Sequence, residues 1–244
     1  PWPQPVGWQS PFRPNGLHET MIRRIAPYSL RGFLYYQGEE DVQRYADYSD
    51  MMLMLVKQWR MDWNDWNLPF LFVQLPMYLA DGEKDDSYWA LQREQQYIAS
   101  MMIQNAGMIS LADCGEYDNI HPLDKKTPGE RLFQLAKNLV YDKQGTITAT
   151  AAQLFSDDGK LYVTFDHLHE KLVMQTANGC PFEISGEDNL FYPAKADVIH
   201  GNMLCISNPA VKFPSAVKYA WYNFGEAVLF TESGNPVSPF FKCV

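Results

Sequence analysis

The chain has 244 residues, 46% hydrophobic, 14% aromatic and 20% charged, a composition that folds around a sizeable core and excludes intrinsic disorder. Its apolar runs, such as Met51–Val56 and Phe70–Val73, are too short to cross a bilayer, so no membrane partner is expected. A net charge of −9, with no basic cluster among the 20 Lys and Arg, argues against nucleic acid as a partner, since phosphates need a basic face.

The chain begins Pro1-Trp2-Pro3-Gln4-Pro5, and residues 1–16 carry five prolines and two glycines, which reads as an extended entry segment. Leu17–Tyr28 then sets Leu17, Met21, Ile22 and Ile25 at helical spacing, and Arg31–Gln37 is a short apolar run suited to a buried strand. Val42–Trp63 reads as one long helix with Tyr45, Tyr48, Met52, Leu55, Val56 and Trp59 on its core side. Pro69–Leu75 reads as a strand, Tyr88–Met102 as a helix, Gly107–Ala112 as a strand and Pro128–Val140 as a helix. Strand–helix alternation at this spacing predicts an α/β unit with a parallel sheet, here with only three strong strands.

From about Thr146 the character changes. Short β-rich runs (Leu161–Phe165, Ala196–Ile199, Met203–Ile206, Val217–Trp221, Ala227–Phe230) are separated by turn dipeptides, among them Asp158-Gly159 and Asn178-Gly179. The division expected is therefore residues 1–145, α/β, and residues 146–244, a small all-β, sandwich-like module. Cys114, Cys180, Cys205 and Cys243 form no CxxC pair and are too few for a disulfide framework, which leaves the redox compartment open.

Open α/β sheets bind ligands beyond the carboxyl ends of their strands. That rule singles out Gln37-Gly38-Glu39-Glu40, Gln74-Leu75-Pro76, and the loop from Asp113 to His121. The loop holds Asp118-Asn119-Ile120-His121, where a carboxylate three residues before a histidine can accept the ring N–H and leave the other nitrogen as a base. The competing reading of this pair is a surface turn, and that of Gln37-Gly38-Glu39 a strand-to-helix turn with an acidic cap. His167 and His169 flank Leu168 without a third ligand, so no metal is expected, and no cofactor.

The block Arg31-Gly32-Phe33-Leu34-Tyr35-Tyr36-Gln37-Gly38-Glu39 resembles a signature of the sialate O-acetylesterase family, carbohydrate esterases of the SGNH-hydrolase superfamily. The similarity continues in order through Phe70–Leu75, Trp89-Ala90-Leu91-Gln92-Arg93-Glu94-Gln95, Asp118-Asn119-Ile120-His121-Pro122, Gly129-Glu130-Arg131-Leu132 and the β-rich tail. It implies part of a flavodoxin-like parallel sheet flanked by helices, and hydrolysis of acetyl esters on sialic acid or related glycans by serine esterase chemistry. His121 would be the base and Asp118 its partner; Gln37 and Gly38 would lie on the oxyanion side of the pocket, and Glu39 would be a supporting carboxylate. Glu40-Asp41 stand where the family has a small polar residue and Asn, a departure in that wall.

The family's nucleophile sits in a Gly-Gln-Ser-Asn-like block upstream of Gln-Gly-Glu, and no such block occurs here. Trp8-Gln9-Ser10-Pro11 is the nearest likeness, but Ser10 lacks a preceding apolar strand and is not expected to be catalytic. The chain is expected to be the C-terminal part of an esterase, with a first strand whose free edge needs a partner from an N-terminal half or a second chain. Substrate contacts are sought in Arg93, for a sugar carboxylate, and in Trp89 and Tyr78, for a sugar ring; an internal ion pair and core burial are the respective alternatives. A secreted or periplasmic location is expected. Two other functions compete: a non-catalytic carbohydrate-binding protein on a degenerate esterase, and a two-carboxylate glycosidase using Glu39 and Asp118.

Overall fold

Three short apolar runs build the first sheet, and the run buried deepest is the middle one. In the computed structural model, which describes Ser10, residues 13–26 and residues 28–244, β1 (Phe33–Tyr35), β2 (Phe70–Gln74) and β3 (Ala106–Ser110) lie parallel in the order β1-β2-β3. All five residues of β2 are buried, which explains why its sequence is a continuous apolar run rather than an alternating one. Phe70 and Phe72 point to one face and meet Tyr48, Met52 and Val56 of α2 (Tyr48–Asp62) and Ala99 of α3 (Tyr88–Met102). Leu71 and Val73 point to the other face, against Leu132 and Leu135 of α4 (Lys126–Leu139). Full burial of such a side chain is worth about 1.5–3 kcal/mol, so β2 carries much of the layer's stability.

β1 differs. Its register with β2 pairs Leu34 with Leu71, yet Leu34 is 64% exposed. Among the described residues β1 is hydrogen-bonded to a strand on one side only. Gly32 leads into it at φ 155°, where a Cβ would stand 2.7 Å from the Pro69 carbonyl oxygen, so glycine is required for the chains to approach there.

The long helix expected over Val42–Trp63 is divided. A 3-10 stretch covers Glu39–Asp47, Arg44 leaves helical geometry (φ −126°, ψ 28°), and α2 begins only at Tyr48. The helix expected over Leu17–Tyr28 is a π-helical turn, His18–Ile22, running into α1 (Arg23–Ile25), with His18 Nε2 2.7 Å from Asp62 Oδ2.

After α4 every strand pairing is antiparallel. β4 (Thr150–Asp157), β5 (Lys160–Asp166), β9 (Lys195–Ile199) and β10 (Met203–Ser207) form one sheet in the order β4-β5-β10-β9. β7 (Phe182–Ser185), β8 (Tyr192–Pro193), β11 (Ala216–Tyr219) and β13 (Phe240–Cys243) form a second in the order β13-β11-β7-β8. β6 (Leu172–Met174) and β12 (Leu229–Thr231) make a separate pair. Positive φ at Asp158 and Gly159, and again at His200 and Gly201, gives the two tight turns of the first sheet the geometry that suits twisted strands. Both four-stranded sheets turn into one core, with Leu161, Val163, Leu204 and Ile206 from the first meeting Phe182, Ile184, Val217 and Tyr219 from the second. Met77 and Ala112, from loops that follow β2 and β3, complete that same core.

Candidate active site

The three loops beyond the carboxyl ends of β1, β2 and β3 meet over one apolar cluster. Val42, Leu75 and Trp89 form its buried part, with Tyr36, Tyr78, Tyr88 and Ile120 packed against it. Gln37 and His121 each adjoin a member of this cluster in sequence, so the Gln-Gly-Glu block and the Asp118–His121 loop share one platform.

The Gln37 wall is closely bonded. Tyr35 Oη donates to Gln37 Oε1 at 2.8 Å, Gln37 Nε2 donates to Asp41 Oδ2 at 2.7 Å, and the Gln37 carbonyl accepts Tyr48 Oη at 2.9 Å. Burial, with the charges of Asp41 and Glu39, pushes the Tyr35 phenol up to about 12; burial with Glu39 and Cys114 does the same for Tyr36. Both phenols are therefore neutral donors at pH 7. Gly38 sits at φ 147°, and a methyl there would lie 3.1 Å from the side-chain nitrogens of Gln92 and Gln96 and 3.2 Å from Tyr48 Oη. The crowding that requires glycine comes from α3 and α2 beneath the wall. Glu39 opens the 3-10 stretch, and its charge acts on Tyr36 and Tyr35.

On the facing loop, Asp118 lies in the left-handed region (φ 57°); its N–H donates to the Leu79 carbonyl and its Oδ1 accepts the Asp81 N–H, both at 2.9 Å. His121 is exposed, and its backbone N–H donates to Asn119 Oδ1 at 3.1 Å. The expected Asp118–His121 side-chain pairing is thus replaced here by a bond from Asp118 to the neighbouring loop. Arg131 of α4 grips the base of the loop, with Nη1 and Nη2 each 2.6 Å from a carboxylate oxygen of Asp113 and Nη1 2.9 Å from the Ser110 carbonyl. Burial, then the charge of Asp113, pushes the Cys114 thiol up to about 12, so it is no thiolate nucleophile at pH 7. Ser10 is half-buried, with its carbonyl accepting the Arg13 N–H; Trp8, Gln9 and Pro11 lie outside the described residues.

Two expected substrate contacts are corrected. Arg93 is 1% exposed, and its guanidinium donates inward to the carbonyls of Pro76 and Tyr222, so it does not face a sugar carboxylate. Trp89 is 7% exposed, with its ring 5.0 Å from that of Tyr78, and belongs to the core. Tyr78 is half-buried at the rim of the same cluster. His167 and His169 are exposed after β5, and the neighbouring Glu170 is engaged with Ser233.

Sequence reading missed Asn223, which is 4% exposed in the β-rich region. Its Oδ1 accepts the Trp89 N–H at 3.0 Å, its Nδ2 donates to Asp86 Oδ1 at 2.9 Å, and its carbonyl accepts the Tyr78 N–H at 2.8 Å. One residue from the second region therefore holds the start of α3 and the Tyr78 rim. Its only local signal is the turn-like context Tyr222-Asn223-Phe224-Gly225.

Known proteins resemble the chain in sequence and fold. The profile of a family described as a carbohydrate esterase, sialic acid-specific acetylesterase, matches residues 6–138. The chain is 26% identical over 260 residues to a sialate O-acetylesterase of Mus musculus, covering 94% of this chain and 47% of that protein. It is 25% identical over 195 residues to the human sialate O-acetylesterase, covering 72% and 37%. A crystal structure of a carbohydrate acetylesterase from Xanthomonas citri superposes with a TM-score of 0.86 at 32% identity, over 93% of this chain and 53% of the other. The chain thus spans about half the length of the mouse and Xanthomonas citri proteins. With more than half of its residues inside the family profile, it belongs to the sialic acid-specific acetylesterase family of carbohydrate esterases.

Proposed function

We propose that this chain supplies the histidine and carboxylate half of a serine O-acetylesterase acting on acetylated sugars. The observation that supports this most is the joint platform of Val42, Leu75 and Trp89, which brings the Gln37-Gly38 wall and the Asp118–His121 loop together beyond the carboxyl ends of the strands. The serine comes from a segment that adds a strand to the free edge of β1, next to the strand that leads into Gln37. His121 takes the serine proton as Oγ attacks the acetyl carbonyl, and donors on the Gln37-Gly38 side stabilise the oxyanion. Collapse of the tetrahedral species expels the sugar hydroxyl, which leaves with the proton from His121. Water then attacks the acetyl-serine with His121 again as base, releasing acetate. Asp118 orients the imidazole once its carboxylate turns from Asp81, a tightening that free esterase sites commonly need.

The test is hydrolysis of 4-nitrophenyl acetate. The 244 residues alone are expected to be inactive, and joining them to the upstream serine-bearing segment restores turnover. His121→Ala then lowers kcat by about a thousandfold or more. Full turnover by the 244 residues alone, unaffected by His121→Ala, would sink the reading.

A second reading, a non-catalytic sugar-binding protein, is favoured by the engagement of Gln37 Nε2 with Asp41 and of Asp118 with Asp81. Saturable binding of acetylated oligosaccharide by the joined protein, with no ester cleavage, would select it.

A further inference from the structure

Between β3 and His121 lies a carboxylate without a part in the chemistry above. Glu116 Oε2 accepts the Asn119 side-chain amide at 2.6 Å, and Glu116 Oε1 accepts the Leu123 backbone N–H, also at 2.6 Å. The backbones of Glu116 and Asn119 form an isolated antiparallel bridge. Asn119 in turn uses its Oδ1 to accept the His121 N–H. The carboxylate therefore ties both ends of the segment 119–123, and His121 sits at its centre.

His121 itself is exposed, so packing does not fix its ring. Its direction depends on the backbone, held by half-buried Ile120 before it and buried Pro122 after it. An exposed loop samples many backbone states unless hydrogen bonds remove them. Short bonds to an ionised acceptor are roughly twice as strong as neutral ones, and Glu116 makes two. Asp118 holds the loop to residues 79 and 81 before the histidine, so Glu116 is the complementary tie that also reaches past it.

We propose that Glu116 is the positioning residue of the candidate base, setting the direction of the His121 imidazole through Asn119 and Leu123. This rests on the reading of His121 as the base, while the tie is testable without turnover. The experiment uses the 244-residue chain with isotopically labelled histidine and backbone nitrogen. His121→Ala assigns the His121 imidazole resonance among the five histidines. In Glu116→Ala the Leu123 amide is expected to exchange about tenfold faster or more, the scale of a lost charge-assisted bond. The His121 ring resonance should move toward its position in an unstructured peptide, while those of His18, His167, His169 and His200 stay in place. Glu116→Gln keeps an acceptor for Leu123 and should fall between Glu116→Ala and wild type. Unchanged Leu123 exchange and an unchanged His121 ring resonance in Glu116→Ala overturn the proposal. If Glu116→Ala unfolds, wild-type behaviour of both signals in Glu116→Gln overturns it equally. Failure of the base reading is seen separately, as intact ester hydrolysis by the joined protein carrying His121→Ala.

Discussion

The two halves of the molecule bury apolar residues in different ways. In the β-rich half, Leu161, Val163, Ile184, Leu204, Ile206 and Val217 are all 0% exposed, and two four-stranded sheets shield them from both sides. In the α/β half β2 and most of β3 are enclosed on both faces, whereas β1 leaves Leu34 at 64% exposure and, among the described residues, one edge without a strand. The open side is also the side on which the Gln37-Gly38 wall begins. The contrast separates stability from chemistry: one half provides a closed core and the clasp at Asn223, while the other carries a three-stranded layer with the candidate catalytic loops.

The comparison is broken most strongly from the closed side. Leu204→Ala is expected to destabilise by about 2–5 kcal/mol in urea unfolding, because two shielding sheets allow little collapse around the cavity. Asn223→Ala acts on the seam and should cost about 1–3 kcal/mol, since it strands the Trp89 N–H in a buried place; faster exchange of that amide is the specific readout. Burial pushes Glu94 up to about 7, with Lys242 of β13 partly opposing. The folded state therefore holds a proton there that the unfolded chain has released. Stability should fall by about 2–3 kcal/mol as pH rises from about 4.5 to 7, and Glu94→Gln should remove that slope. Leu34→Lys has the smallest expected effect on the chain alone, within about 0.5 kcal/mol, because the side chain is already in water. In the joined protein the proposed function predicts that the same change abolishes activity, which would sharpen the difference between a closed core and an open edge.

Much of this was readable from the chain itself. The run Phe70–Val73 declares a strand buried on both faces, and the helix expected over Tyr88–Met102 is α3 with the same bounds. Periodicity failed over Val42–Trp63 because the local bonds of Gln37 with Asp41 and Tyr48 favour a tighter turn than an α-helix, and no apolar pattern encodes them. β4 escaped notice because a register shift between Ala151 and Leu154 blurs its alternation. The positions of Gln37, Gly38, Asp118 and His121 were legible from strand ends and the family pattern. The burial of Arg93 and Trp89 was not, since their partners Tyr222 and Asn223 lie more than a hundred residues away.

One long-range contact has a consequence for biosynthesis. Gln74, the last residue of β2, is fully buried, and both atoms of its amide bond the hydroxyl of Ser238. The two residues are 164 positions apart. While the protein is still on the ribosome, the central strand can pair with its neighbours, but its terminal amide has no protein hydroxyl to meet. Contacts of such separation slow folding, because the intervening loop must close before they contribute. The candidate catalytic loops therefore reach their final support only after Ser238 has been made, and a ribosome stalled before Ser238 would hold a strand whose functional end is unfinished.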